Sequence, residues 1–439
     1  MLLCLSLLQA CASVPERPGF DEIQADVEKR TGEKIIMDRS DQSAQEAIRA
    51  LEAEPLTEDN AVRLALLQSP ALQAEYQRLR ISYADVVQAG LLTNPQLDVT
   101  SGFGLDGGAT RVGAGLVYNF LELLTRRGNV ASATYGFEST KAEIVGAVLS
   151  HTLTVRRTHA DYIAARAQLT AAEERLSLAE IRRRTARNLY AVDEVDLARV
   201  SLEEQNFLEA RADTEIAKGN LISARVTLRL GIGHQRFDYF DIPGHSPAIE
   251  INTPKFETLR TRALEWHPDL IAARANIKRL RSLAHQQRRG PLVNSAAAGI
   301  ELEREDGENF VGPSVSLQVP IFDQGQSQIT RADALVQRAN FLLEQRELQV
   351  LADLRTALAN METANSVFTL QQSQQMPTAH ANLKLSEQLF EAGEQDIFDV
   401  FDARTNLLDA RLDLINARRA FQQANYALNE AIGGVAPPR

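Results

Sequence analysis

The chain has 439 residues, of which 44% are hydrophobic and 24% are charged, and its formal net charge is −11. These proportions exclude a largely disordered chain and a helical protein that crosses a membrane many times. The acidic balance also argues against a nucleic-acid partner, because proteins bind nucleic acid mainly by neutralising phosphates with basic side chains.

The first eleven residues resemble a bacterial lipoprotein signal. An apolar stretch at residues 1–10 precedes Cys11, and it is too short to span a bilayer as a helix. The resemblance implies cleavage before Cys11, acylation of its thiol (palmitate) and, because Ala12 rather than aspartate follows, sorting to the outer membrane. An ordinary secretory signal with an incidental cysteine is the alternative, since no Lys or Arg opens the stretch.

Residues 11–55 are predicted to form a loosely tied N-terminal leader with a short charged helix. A helix is predicted from residue 56 to about residue 89. Thr57 can cap this helix at its start, and Gly90 can end it.

Period-two patterns then predict two β-hairpins. Apolar residues alternate with small or polar ones at 97–103 and 112–118, and again at 295–304 and 311–319. Each arm has about the length that a tilted strand needs to cross a bilayer. A lone hairpin is unstable, and open strand edges in a membrane must be paired. The sequence therefore predicts an oligomer.

Long helices occupy most of the remaining chain. They are predicted at 126–190, 195–231, 323–388 and 395–432. Alternating spacings of three and four between apolar or small residues over 148–190 indicate a coiled-coil seam. Pro377 should bend the third long helix, because proline cannot donate the helical hydrogen bond.

The chain is duplicated internally. Residues 189–233 reappear as residues 389–433, displaced by 200 positions. We therefore expect two helix–hairpin–helix repeats joined by an irregular connector. The expected boundaries are 56–233 for the first repeat, 234–255 for the connector, 256–434 for the second repeat and 435–439 for a C-terminal tail.

Four motifs, in their order and duplicated spacing, resemble the TolC family of outer-membrane efflux proteins. They are Leu56–Pro70, Gln88–Pro95, Val319–Gly325 and Phe398–Ala403. The resemblance covers about 56–434 and implies a mainly α fold with a small β part. In that fold three chains share a coiled-coil helical barrel and a transmembrane β-barrel, to which each chain gives four strands.

The resemblance implies a trimeric exit channel in the bacterial outer membrane that extends into the periplasm. Such a channel passes solutes outward with a periplasmic adaptor protein and an inner-membrane efflux pump, expected to be proton-driven. The alternative is a periplasmic coiled-coil lipoprotein with a structural or adhesive role and no pore. That alternative leaves the two hairpins unexplained.

The sequence predicts no enzyme, cofactor or metal site. Residues 102–107 fit a dinucleotide-binding fingerprint, but they lie in a strand–turn–strand and open no helix. The seven histidines show no metal-ligand spacing.

Asp399 and Asp402 are the main candidate functional residues. They lie three positions apart on one face of a helix start, just after Gly393. In the TolC family the matching aspartates line the periplasmic aperture, and a ring of carboxylates favours cations. The alternative is that both are solvated charges that the helix N-terminus favours.

The TolC family also holds its aperture closed with an aromatic residue and an arginine. The resemblance places the aromatic residue at Phe390 and the arginine position at Gln395. Because Gln395 carries no charge, Arg404 is an alternative partner in the latch.

Overall fold

The computed structural model describes residues 14–103, 110–118, 122–233, 255–293, 296–305, 308–317 and 321–434. Cys11, the connector at 234–254 and the tail at 435–439 lie outside these ranges, as do residues 104–107 of the dinucleotide-like motif.

The described residues form a mainly helical chain with one small sheet. The elements are α1 (Phe20–Thr31), α2 (Gln42–Glu52), α3 (Glu58–Gln68), α4 (Pro70–Gly90), β1 (Gln96–Phe103), β2 (Thr110–Tyr118), α5 (Glu122–Tyr190), α6 (Leu197–Ile232), α7 (Phe256–Trp266), α8 (Pro268–Val293), β3 (Ala296–Glu305), β4 (Glu308–Leu317), α9 (Gln326–Leu370), a π-helical turn (Gln371–Gln375), α10 (Met376–Glu391) and α11 (Ile397–Ala431). None of the described helices has both the length and the hydropathy that a bilayer span requires.

The chain divides into two compact units. The first contains the sheet, with Glu75–Ile144, Pro268–Leu348 and the chain before Gln24. The second contains Gln24–Ala74, Val145–His267 and the chain from Gln349 onward. The sheet therefore belongs to one unit, and the helix ends near residues 190 and 390 belong to the other.

The helix predicted at 56–89 is two helices, α3 and α4. Thr57 caps α3 as predicted, its hydroxyl accepting from the backbone N–H of Asn60 at 3.2 Å. Ser69 separates the helices with non-helical backbone angles, because the ring of Pro70 disfavours the helical conformation in the residue before it. The second repeat breaks in the same way at His267, before Pro268.

The two predicted hairpins form one antiparallel sheet in the order β1-β2-β3-β4. In its register Leu97 pairs with Leu116, and Leu116 pairs with Ile300. Leu302 pairs with Val311 on the same face. The alternation read from the sequence therefore places most large apolar residues of the four strands on one side, whereas Val117 and Phe310 lie on the other.

The helix α5 has 69 residues, which corresponds to a length of about 100 Å. Regular helix is interrupted between α9 and α10 by the π-helical turn that directly precedes Met376. Pro377 accounts for this turn, because it cannot donate to the carbonyl of Ser373. The regular α-helix is thus interrupted beside Pro377 by a change of helix type, and the predicted bend stays a prediction.

The leader is packed rather than loosely tied, which corrects the expectation from the sequence. Ile23, Val27 and Ile35 are each 1% exposed. The buried guanidinium of Arg30 donates to the backbone carbonyls of Trp266 at 2.6 Å and Gly433 at 2.7 Å. The charged positions of α1 suggested a solvated helix, but its apolar face is buried.

Candidate gate at the tip of the second repeat

The turn between α10 and α11 is built by a glycine and an aspartate. Gly393 has φ of 76°, which a residue with a Cβ adopts at a cost. The N–H of Gly393 donates to the carbonyl of Phe390 at 2.9 Å. Asp396 then caps α11, its carboxylate accepting from the N–H of Phe398 at 2.6 Å and from that of Asp399 at 3.1 Å. The turn thereby fixes the start of α11 and the side chains on its first two turns.

Asp399 takes part in the cap itself. Its carboxylate accepts from the backbone N–H of Asp396 at 3.1 Å, which completes a capping box. The side chain is exposed, and its negative charge lies at the positive end of the α11 dipole. Asp399 is therefore positioned by contacts within the start of α11, and it projects a negative charge at the tip.

Asp402 is held by a residue of the first repeat. A carboxylate oxygen of Asp402 accepts from Nη1 of Arg182, near the end of α5, at 2.6 Å. The same Nη1 lies 3.4 Å from the hydroxyl of Thr405. Asp402 is 57% exposed, whereas Arg182 is 9% exposed. One ion pair therefore links the start of α11 to α5.

Arg182 is shared with a second, fully buried carboxylate. Its Nε and Nη2 donate to the two oxygens of Glu203 at 2.8 and 3.0 Å, and Glu203 is 0% exposed. Asn206 donates to Glu203 at 3.2 Å, and Arg199 lies 3.7 Å from it. We call Arg182, Glu203 and Asp402 the tip clamp, because it joins α5, α6 and α11.

Burial and ion pairing shift the pKa values of Arg182 and Glu203 in opposite directions. Burial alone would raise the pKa of Glu203, but the hydrogen bonds from Arg182 and Asn206 outweigh it and the pKa is lowered. Burial would lower the pKa of Arg182, and its bonds to Glu203 and Asp402 raise it. Both shifts favour the charged form, so the buried pair is an ion pair in the folded protein.

Aromatic rings flank the tip clamp on the α11 side. The guanidinium of Arg199 lies 4.1 Å from the ring centre of Phe398, which is 2% exposed. Phe398 packs edge-on against Phe401 at 6.0 Å. These contacts add a second link between the start of α6 and the start of α11.

The remaining predicted residues, Phe390, Gln395 and Arg404, are not part of the tip clamp. Phe390 is 42% exposed. The side-chain oxygen of Gln395 accepts from the hydroxyl of Ser386 at 3.0 Å. Arg404 is exposed, and Asp402 forms its ion pair with Arg182 rather than with Arg404.

Arg182 and Glu203 were missed by the sequence reasoning. Arg182 and Asp402 are separated by 220 positions, and Arg182 and Glu203 by 21. Neither spacing is a motif. The available signal was the divergence of the repeats, because Glu203 in the first repeat corresponds to Ala403 in the second.

The fold and the sequence together define a class of outer-membrane channel protein. The sequence matches the family described as outer membrane efflux protein over residues 61–234 and 259–434. The chain belongs to that family, and the prediction of a TolC-family protein is confirmed. The family consists of channels rather than enzymes, which agrees with the prediction that the chain is not an enzyme.

Solved structures share the fold at low sequence identity. The chain is similar to CusC, a protein that forms a transmembrane channel, with a TM-score of 0.70, 16% identity, and coverage of 86% of this chain and 92% of that one. It is similar to VceC of Vibrio cholerae, with a TM-score of 0.68, 18% identity and coverage of 86% and 96%.

A third similar structure is the open MtrE outer membrane channel of Neisseria gonorrhoeae, with a TM-score of 0.66, 18% identity and coverage of 86% and 89%. No curated protein sequence matches the chain. The similarities confirm the predicted, internally duplicated and mainly helical fold.

Proposed function

We propose that this chain is the exit channel of a tripartite efflux system. Three copies would line one conduit through the outer membrane, with the lipid on Cys11 as an additional anchor. A periplasmic adaptor and an inner-membrane pump, expected to be proton-driven, would deliver the solute. Membership of a family of outer-membrane efflux channels supports this function over that of a structural lipoprotein without a pore.

We propose that the tip between α10 and α11 is the periplasmic gate. The observation that carries this proposal is the ion pair between Asp402 and Arg182, which ties the second repeat to the first. Arg182 would stay with buried Glu203 when the gate opens. The bond to exposed Asp402 is the one that can be broken at small cost, because ion pairs open to water contribute little.

The open state would then differ from the closed state in charge as well as in width. In the closed state Arg182 neutralises Asp402. Release of Asp402 would leave it, like Asp399, as an exposed negative charge on the same face of α11. Three copies would form a ring of negative charge, which favours cations.

The gate can be tested by single-channel conductance of the purified protein in planar bilayers. Asp402→Asn keeps the size of the side chain and removes the charge that Arg182 holds, so we expect larger or more frequent openings. Asp409→Asn is the matched control. Asp409 lies seven positions further along α11 and pairs with Arg175 at 3.3 Å, with side chains that are 45% and 39% exposed respectively.

The outcomes separate the gate from the channel. Equal conductance in the wild-type protein, Asp402→Asn and Asp409→Asn would place the gate elsewhere and leave the channel standing. No conductance from inserted wild-type trimers would contradict the exit channel itself. The double variant Asp399→Ala/Asp402→Ala should also lose cation selectivity, because it removes both carboxylates.

A further inference from the structure

The two repeats bury matching helix positions, but the displacement between them changes by one residue within the second repeat. Before the π-helical turn at Gln371–Gln375, four buried positions of α9 match buried positions of α5 that lie 199 residues earlier. The pairs are Val155 with Leu354, Thr158 with Ala357, His159 with Leu358, and Tyr162 with Met361. After the turn, the displacement is 200 for two further buried pairs, which are Ala179 with Ala379 and Ala186 with Ser386. The second repeat therefore contains one extra residue within this stretch of helix.

The π-helical turn accommodates the extra residue. Its hydrogen bond joins residues five positions apart instead of four, and here the N–H of Met376 donates to the carbonyl of Gln371. This wider turn takes up one additional residue, and the buried face of the helix continues beyond it. In the first repeat α5 is a single α-helix from Glu122 to Tyr190, through the matching positions 171–175. The turn is thus an addition to the repeat that carries Asp402.

Packing within the chain differs on the two sides of the turn. Before it, the ring of Phe368 stacks on the buried ring of Phe421 in α11, with 5.9 Å between the ring centres. At the turn, Nε2 of Gln375 donates to a carboxylate oxygen of Asp413 in α11 at 3.0 Å, in an exposed hydrogen bond. After the turn, the two side chains that α10 buries among its 16 residues are both small. The π-helical turn therefore lies at the boundary between a firmly packed helix and a lightly packed one.

Opening of the tip requires a place where the pair of helices α10 and α11 can bend. The two helices pack against each other and are joined by the turn at Gly393, so bending the pair requires one helix to lengthen or shorten relative to the other. A regular α-helix resists such a change, because each residue is fixed by its hydrogen bond to the preceding turn. The π-helical turn can change length, because it holds one residue in excess and Pro377 donates no hydrogen bond.

We propose that the π-helical turn at Gln371–Gln375 is the hinge about which α10 and the start of α11 move when the gate opens. This inference rests on the proposed function. The first repeat supplies the fixed partner, because α5 is continuous and its Arg182 stays paired with the buried Glu203. Asp402 moves away from Arg182 with α11. The extra residue therefore belongs to the repeat that has to move.

Deletion of one residue tests whether the turn holds an insertion. Deletion of Gln374, whose side chain is exposed, together with Pro377→Ala should restore a regular helix with the spacing of buried positions that α5 has. Its melting temperature should be no lower than that of Pro377→Ala alone. The matched control is deletion of Glu173, an exposed residue of α5, which turns the end of that helix by about 100° and should lower the melting temperature strongly. Equal losses in the two deletion variants would overturn the insertion and the hinge with it.

Single-channel conductance of the full-length protein then tests the hinge itself. Asp402→Asn should open more often than the wild-type protein, because it releases the tip from Arg182. Combining Asp402→Asn with the deletion of Gln374 and Pro377→Ala should return the openings to the wild-type frequency, because the released tip then has no hinge. Combining Asp402→Asn with Pro377→Ala alone is the matched control. It should keep most of the additional openings, because the extra residue remains in the helix.

The outcomes separate the hinge from the gate. If the additional openings of Asp402→Asn persist at the same frequency after the regular helix is restored, the hinge is overturned and the gate stands. If Asp402→Asn opens no more often than the wild-type protein, the gate itself is contradicted, and a hinge that serves it falls as well. A return to the wild-type frequency, in channels whose melting temperature matches that of Pro377→Ala, would support the hinge.

Discussion

The two repeats build the same turn twice and use it differently. In the first repeat Asp193 has φ of 60°, and in the second Gly393 has φ of 76°. In both, a backbone N–H donates to the carbonyl of a leucine five positions earlier and closes the turn: Glu194 donates to Leu189 at 3.0 Å and Glu394 to Leu389 at 2.9 Å. The backbone of the tip is therefore set by positions that the duplication preserved.

The helix starts after these turns have diverged in charge. The first tip has Arg199, Leu202 and Glu203 where the second has Asp399, Asp402 and Ala403. Arg182 in α5 forms ion pairs with both the buried Glu203 and the exposed Asp402. The comparison shows how a duplicated module becomes complementary to itself: the first repeat supplies the cation, and the second supplies the exposed anion that pairs with it.

The largest expected effect is that of Arg182→Met, which breaks this complementarity. The substitution leaves buried Glu203 without the guanidinium that binds both of its oxygens, which costs about 3–5 kcal/mol of unfolding free energy. The measurement is denaturant-induced unfolding of the protein in detergent. Arg187→Met is the control, because Arg187 is 55% exposed and pairs with Glu204, so it should change stability by less than about 1 kcal/mol. Equal losses of unfolding free energy in Arg182→Met and Arg187→Met would contradict the role of Arg182 in the tip clamp.

The clamp could not have been read from the sequence. The period-two and three-four patterns predicted the strands and the long helices, because those patterns reflect local burial. The break before Pro70 was missed although proline restricts the residue before it. The pairing of Arg182 with Asp402 depends on which helices are neighbours, and no local pattern records that.

The second effect concerns pH and the buried carboxylate. The lowered pKa of Glu203 means that its stabilisation is fully present above the ordinary glutamate pKa of about 4.3. It is lost as the pH falls from there through the lowered pKa. Glu203→Gln should cost about 1.5–3 kcal/mol at neutral pH, the range for hydrogen bonds to charged groups. It should also flatten the fall in stability below pH 4.3.

Thermal unfolding between neutral and acidic pH tests this, with Glu204→Gln as the control. Glu204 neighbours Glu203 but is 34% exposed. Parallel acid profiles for Glu203→Gln and the wild-type protein would show that another carboxylate governs the loss.

The third effect tests the turn itself. Gly393→Ala should destabilise the second tip by about 1–2 kcal/mol, because a residue with a Cβ is strained at positive φ. Asp193→Gly makes the opposite exchange in the first tip. Its relief of strain is offset by the greater freedom of glycine in the unfolded chain, so we expect little net change. Melting temperatures of the two variants measure this asymmetry. A melting temperature of Gly393→Ala equal to that of the wild-type protein would refute it.

The smallest expected effect is a difference in strength between the N-caps of α6 and α11. Asp196 accepts one N–H, from Arg199 at 2.8 Å, whereas Asp396 accepts two and receives the capping box of Asp399 in return. Removal of a capping side chain costs about 0.5–2 kcal/mol of stability. We expect the loss for Asp196→Ala to lie at the low end of this range and the loss for Asp396→Ala to lie at the high end. Hydrogen exchange of the first-turn amides of α6 and α11 measures the two losses locally. If the gate lies at the second tip, Asp396→Ala should also raise the channel conductance and Asp196→Ala should not, because only the former loosens the helix that carries Asp402.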